Sequence, residues 1–186
     1  MRHEVRLAGF GGQGIVLSGY IVGKAAALYG GQHSVLTQSY GPEARGGACS
    51  AEVVIDSQPV DYPLATRLNC LVVMSTEAYT RFRKDLAPGG LLLADTGVAS
   101  TVAAQEVQRG DARFQGINAT EIAEHLGRRI VANIVMLGFW TGIAGYVSQA
   151  AMEEAVRTSV PPKTIDLNLA AFRAGYERAG VLEAAA

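Results

Sequence analysis

Residues 9–14 read GFGGQG, and Gly9, Gly11 and Gly14 have the three-glycine spacing of a loop that holds a phosphate or another anion between a strand and a helix. Glycine is the residue type that such a loop requires. The turn needs backbone angles that side chains resist, and a side chain would keep the anion from the amides at the helix N-terminus. A dinucleotide site also wants an Asp or Glu roughly 20 residues further on, to hold the adenosine ribose. Thr37 and Gln38 stand there instead, which argues against a nicotinamide cofactor and leaves other phosphate-bearing ligands open. Close packing of strand on helix is the alternative use of the same glycines. A second unusual stretch, QSYGPEARGGA at 38–48, follows directly. Its glycines and proline fix a backbone path, while Arg45 offers a planar fork of donors suited to phosphate or carboxylate, with Glu43 placed to orient it. A rigid turn carrying a solvated ion pair fits these residues equally well.

The elements that must position these loops can be read from periodicity. Residues 4–10 alternate as a strand, and 14–29 show helical spacing through Ile15, Leu17, Ile21, Val22, Ala25 and Leu28. Gly30 and Gly31 stop that helix, and 34–38 read as a second strand in a parallel pair with the first. Residues 49–55 alternate as a strand close enough in sequence to pair antiparallel with an earlier one, so the sheet is mixed. Buried strands are expected at 70–74 and 90–95, helices at 77–86, 133–144 and 149–156, and a last amphipathic helix at 166–179 after Pro161 and Pro162. Signals are weaker at 102–107 and 113–117, and Asn118 with Glu121 has the form of a capped helix start running to Leu126. The pattern predicts an α/β protein with three α/β/α layers and a Rossmann-like, mostly parallel, mixed sheet. No repeat or linker divides it, so residues 1–186 are expected to form a single domain.

The chain is 49% hydrophobic and 18% charged, with a formal charge of -1, which points away from nucleic acid and from disorder. No apolar run reaches the roughly 20 residues of a membrane span, and no apolar signal core opens the chain, so a cytoplasmic location is expected. Cys49 and Cys70 lack the spacing of zinc or iron–sulfur ligands and are read as buried core thiols. His3, His33 and His125 are scattered without metal spacing, and no metal site is expected. Residues 19–24 resemble a P-loop but are one residue short, lack the Ser or Thr after the lysine, and fall inside a helix. The sequon at Asn118 is read as helix capping, and Asp95, at a strand end, as a site residue or a cap. Asn133 opens an otherwise apolar helix, where it either satisfies a buried backbone group or faces a ligand.

GFGGQG at 9–14 together with QSYGPEARGGA at 38–48 resembles the gamma subunit of 2-oxoacid:ferredoxin oxidoreductases. The likeness extends through Tyr62 and Pro63, VVMSTEAY at 72–79, PGGLLLAD at 88–95 and ANIVMLG at 132–138, covering nearly the whole chain. The SYGPEARGG wording is more similar to the 2-oxoglutarate and the pyruvate or branched-chain enzymes than to the indolepyruvate branch, with 2-oxoglutarate favoured. The resemblance implies one subunit of an enzyme that decarboxylates a 2-oxoacid on thiamine diphosphate, passes electrons through iron–sulfur clusters to ferredoxin, and releases an acyl-coenzyme A. Thiamine diphosphate, magnesium and the clusters are then expected on partners: alpha and beta subunits, and a ferredoxin-like delta subunit whose separate existence is left open. No catalytic residue is assigned to this chain, whose implied role is to bind coenzyme A. Carried onto this sequence, Gly11, Gly12, Gln13 and Gly14 would surround phosphate or pantetheine, Ser39, Tyr40 and Gly41 would line the same crevice, Arg45 would be the charge partner, and Asn133 a secondary contact. The competing expectations are a purely structural subunit and an independent NAD(P)-dependent reductase.

Overall fold

Six runs of alternating or continuous apolar residues form strands: β1 (His3–Phe10), β2 (His33–Ser39), β3 (Ala48–Asp56), β4 (Leu68–Val73), β5 (Leu86–Asp95) and β6 (Arg113–Ile117). The computed structural model describes residues 1–39 and 48–183. The helices are α1 (Ile15–Lys24), α2 (Thr76–Phe82), α3 (Thr101–Arg109), α4 (Ala119–His125), α5 (Ala132–Ala144), α6 (Gln149–Arg157) and α7 (Ile165–Glu183). A single π turn at Ala25–Tyr29 continues α1, so the predicted helix at 14–29 is two segments.

The strands form one sheet in the order β2-β3-β1-β4-β5-β6. β4, β5 and β6 run parallel to β1, and β3 is antiparallel to both β1 and β2. The expected parallel pairing of the first two strands is therefore corrected: β2 points the same way as β1, but β3 lies between them. The reason is burial. β3 buries Ala51, Val53, Val54 and Ile55 and so takes an inner place, whereas β2 has no fully buried residue and accepts the edge.

Period-two alternation sends Val72 and Leu93 into a core shared with α1 and α4 to α7, and Leu71, Val73 and Leu92 into a second core under α2 and α3. These are the three layers expected. Cys49 and Cys70 are free and buried, and burial pushes the Cys70 thiol up to about 12, so it stays protonated and inert.

The larger layer is organised by α5. Its first ten residues are all buried, and a helix apolar on every side must be surrounded. α7 crosses it at backbone contact: a Cβ on Gly138 would strike the Phe172 carbonyl oxygen, and one on Gly175 would strike the Val135 carbonyl oxygen. On the other face, Arg83 donates to both oxygens of the buried Glu106 at 2.6 and 3.0 Å, and the Tyr79 hydroxyl donates to the same carboxylate at 2.5 Å. Burial first, then this hydrogen bond, push Tyr79 up to about 12.

Helix starts are satisfied in two ways. Ser75 and Ser148 accept from Ala78 and Ala151 amides at 3.1 and 3.3 Å, capping α2 and α6 with their own residues. Asn118 makes no such bond to α4, contrary to expectation, and its side-chain nitrogen instead donates to the Glu121 carboxylate at 2.9 Å. The cap comes from the fully buried Asp95 at the end of β5, which accepts from the Thr120 amide at 3.2 Å and its hydroxyl at 2.5 Å.

Glu4 is buried at the start of β1 and accepts from the Thr66 and Arg67 amides at 2.6 and 2.7 Å and from Arg2 at 2.8 Å. Burial alone would raise its pKa, but the Arg67 amide, Arg2 and the Thr66 amide together hold it below the usual glutamate range. Its contribution to stability is thus complete above the unfolded value and is lost as pH falls through the lowered folded value. Glu4→Gln should cost about 1–3 kcal/mol in chemical denaturation at neutral pH, with the deficit shrinking as the solution is acidified. Gly138→Ala, which drives a methyl into backbone, should destabilise the chain by about 3 kcal/mol in the same measurement.

Candidate functional site

The connection after β1 enters α1 on one face of the sheet, while the connection after β4 enters α2 on the other. Between those neighbouring strands the winding changes face, and their carboxyl ends leave a crevice of the kind that receives ligands in open α/β sheets. GFGGQG lies in that crevice. Gly12 and Gly14 have φ of 96° and 73°, angles at which other residues are strained. The loop is tied down by Gln13, whose carboxamide oxygen accepts from the Phe10 amide at 2.6 Å and whose nitrogen donates to the Met74 carbonyl at 2.9 Å. Among the described residues, the amides of Gly11, Gly12 and Gly14 meet no protein acceptor, whereas that of Gln13 donates to Phe10 at 3.2 Å.

α5 begins against this loop. The side-chain carboxamide nitrogen of Asn133 donates to the Gly14 carbonyl at 3.2 Å and to the Ser18 hydroxyl at 3.3 Å. A Cβ on Gly14 would collide with that amide. Asn133 thus satisfies buried backbone, one of its two expected roles, and it also lines both hollows that flank the loop.

The first hollow, about 290 Å³, is bordered by Gly12, Gln13, Met74, Thr120, Arg129 and Asn133. The second, about 300 Å³, is bordered by Gly12, Gly14 and Asn133 and then by an apolar wall of Leu17, Ile130, Val160 and Leu167, with Arg128 at its side. Ile130 borders both hollows and is 73% exposed. The crevice can therefore hold an anionic group against free amides and guanidinium groups while an uncharged chain lies along the apolar wall.

Of the residues expected from sequence, Gly11, Gly12, Gln13, Gly14 and Asn133 are brought together. Ser39 lies at the end of β2, at the same end of the sheet, and pairs with Ser50 of β3. It borders neither hollow. Tyr40, Gly41 and Arg45 lie outside the described residues; the residues on either side are Ser39 and Ala48, and Ala48 is paired with Phe10 beside the glycine loop. Arg128 and Arg129 were not anticipated. Their signal was a pair of arginines shortly before an apolar helix with asparagine as its second residue. Arg129 has one long contact, to Glu124 at 3.9 Å, and Arg128 has no ion pair among the described residues. The nicotinamide reading loses further ground, because the strand that should carry the ribose anchor is separated from β1 by β3.

Gly11 separates folding from binding. A Cβ there meets nothing within 4 Å, so Gly11→Ala should leave thermal unfolding within about 0.5 kcal/mol of the parent while weakening anion binding measured by calorimetry. Gly14→Ala should cost about 1–3 kcal/mol from backbone strain, with the Asn133 collision added.

Residues 4–178 match the family model described as pyruvate ferredoxin/flavodoxin oxidoreductase. The 2-oxoglutarate synthase subunit KorC of Methanocaldococcus jannaschii is 49% identical over 178 residues, 95% of this chain and 94% of its own length. The pyruvate synthase subunit PorC of Methanothermobacter thermautotrophicus is 35% identical over 94% of both chains. Among solved structures, the gamma subunit of a keto/oxoacid ferredoxin oxidoreductase from Geobacter sulfurreducens superposes with a TM-score of 0.87 at 39% identity, covering 97% of this chain and 98% of that one. The 2-oxoglutarate:ferredoxin oxidoreductase of Magnetococcus marinus, solved with 2-oxoglutarate, coenzyme A and succinyl-CoA bound, shares the fold at a TM-score of 0.80 and 20% identity, over 97% of this chain and 31% of that one. The glycine loop, the layered mixed sheet and these likenesses agree: the chain belongs to the pyruvate ferredoxin/flavodoxin oxidoreductase family, as one of its small gamma-type subunits.

Proposed function

We propose that this chain is the coenzyme A-capturing subunit of a 2-oxoglutarate:ferredoxin oxidoreductase. The observation that carries the reading is the crevice itself, where free glycine amides lie beside one hollow bordered by Arg129 and another walled by apolar side chains. Coenzyme A joins phosphate groups to a long, mostly uncharged pantetheine arm, so its two halves suit the two kinds of lining. The relative KorC and the coenzyme A-bound Magnetococcus enzyme motivate the choice of oxoacid and of ligand.

In this reading Gly11, Gly12 and Gly14 donate amides to phosphate, and Arg129 and Arg128 neutralise it, joined by Arg45 from residues 40–47. Gln13 and Asn133 hold the loop and the helix start in place. The pantetheine arm follows Leu17, Ile130 and Leu167 and delivers its thiol to an acyl group formed on a partner subunit. Thiamine diphosphate, magnesium and iron–sulfur clusters belong, in the same reading, to alpha, beta and ferredoxin-like partner chains, and ferredoxin takes the electrons. This chain holds one substrate and performs no redox step itself.

A purely structural subunit is the competing reading, and the arginines separate the two. In the purified complex, 2-oxoglutarate-dependent viologen reduction should show the apparent KM for coenzyme A rising about 10- to 100-fold for Arg45→Ala or Arg129→Ala, since hydrogen bonds to charged groups contribute roughly 1.5–3 kcal/mol. kcat at saturating coenzyme A should stay near the parent value. An unchanged KM with a complex that falls apart on dilution would favour the structural reading. Turnover with pyruvate or branched-chain oxoacids in preference to 2-oxoglutarate would overturn the choice of substrate.

A further inference from the structure

The opposite end of the sheet carries a second electrostatic feature. At the amino ends of β1, β4, β5 and β6 lies an open hollow of about 490 Å³, bordered by the chain's amino terminus, Arg2, His3, Arg67, Arg113 and Tyr146 among others, with no Asp or Glu in its lining. A neighbouring hollow of about 550 Å³ shares Arg67, Ala87 and Pro88 with it and adds Arg6 and Lys84, with Asp85 as its one acid. The two adjoin at these shared residues and together make up one basic trough.

Several of these cations are already neutralised. Arg6 pairs with Glu52 and Asp85, Arg2 with Glu4, and the amino terminus with Asp56. Arg67, Lys84 and Arg113 are different: all three are exposed, and none has an ion pair or side-chain hydrogen bond among the described residues. The chain as a whole carries 16 Lys and Arg against 17 Asp and Glu, so this excess is local. His3, stacked on Tyr146 with ring centroids 3.9 Å apart, closes one side. Burial first, and then the amino terminus, hold its pKa down, with Asp56 opposing.

Unpaired cations repel one another and stay solvated unless an anion arrives, and a matching negative partner both steers association and fixes register. The three cations stand at the starts of three adjacent strands and are shared between two open hollows, which suits an extended chain better than a compact ion. Since the chain is a subunit of a larger oxidoreductase, another polypeptide of the complex is the natural source of a negative group. We propose that the trough formed by Arg67, Lys84 and Arg113 at the amino ends of the strands receives a carboxylate-rich segment of a partner subunit. This docking face is independent of the coenzyme A reading, because it lies at the other end of the sheet and its test needs no coenzyme A.

The test measures association of the full-length chain with the remaining subunits over a range of salt, without coenzyme A, for four variants. Arg67→Glu with Arg113→Glu should weaken association by about tenfold or more at low salt and flatten the salt dependence. Arg67→Lys with Arg113→Lys should retain both. Arg157→Glu, a reversal on α6 away from the trough, should match the parent. Arg67→Gln with Arg113→Gln should fall between, and it decides the matter if the double reversal does not fold. Parent-like affinity and salt slope in the glutamate pair, or in the glutamine pair if that is the one that folds, would overturn the proposal. So would sulfate that displaces the partner far more strongly than chloride at equal ionic strength, since that result assigns the trough to a small free anion.

Discussion

Backbone contact between α5 and α7 is the constraint on which the rest of this structure depends. α5 has no polar face to offer solvent, so it must be enclosed, and the glycines at 138 and 175 let α7 approach until carbonyl groups occupy the space of the missing side chains. That approach fixes the axis of α5, and the axis sets where its first turn arrives. Asn133 therefore lands on the Gly14 carbonyl and the Ser18 hydroxyl. The glycine loop, 119 residues earlier in the chain, is held from above by this contact.

From below it is held by the sheet. Since β1 and β4 are parallel neighbours, both end at the same crevice, and Gln13 can span from one to the other. Parallel strands also gather their beginnings at one place, which is why arginines from distant parts of the sequence share the amino-end trough. The two ends of one sheet thus present positive charge in different settings. One is backed by free amides and an apolar wall, and the other is open and lined by unpaired cations. The antiparallel β3 allows this by filling an inner position without adding a crossover, which leaves the weakly apolar β2 at the edge.

What could be read in the sequence was mostly what local physics decides. GFGGQG announces strand, turn and helix because backbone angles and amide access are properties of adjacent residues. Buried strands such as β4 and β5 show as short apolar runs for the same reason. Strand order was not legible: β2 and β3 each alternate acceptably, and only competition for the inner position settles that β3 pairs with β1. The capping pattern at Asn118 was locally sound, but a carboxylate from the adjoining strand, Asp95, reached Thr120 first. The partner of Gln13 at Met74 is 61 residues away, and no spacing rule could find it. Arg128 and Arg129 escaped notice because exposed arginine is ordinary; their meaning comes from the hollows that the fold places beside them. Tyr40, Gly41 and Arg45, read from the second loop, lie outside the described residues.

The two hydrogen bonds of the Gln13 carboxamide have a thermodynamic consequence. A glycine-rich loop has many backbone states in the unfolded chain, and fixing it costs roughly 1–2 kcal/mol per residue in conformational entropy. Because Gln13 anchors the loop to two strands, that cost is incurred once, when the chain folds, and is not charged again to each ligand that arrives. In the proposed coenzyme A reading, that leaves more of the gross interaction as affinity, because the loop needs little rearrangement on binding. The loop is thus fixed before any ligand arrives, with the Gln13 carboxamide holding it to the sheet and Asn133 holding it to α5.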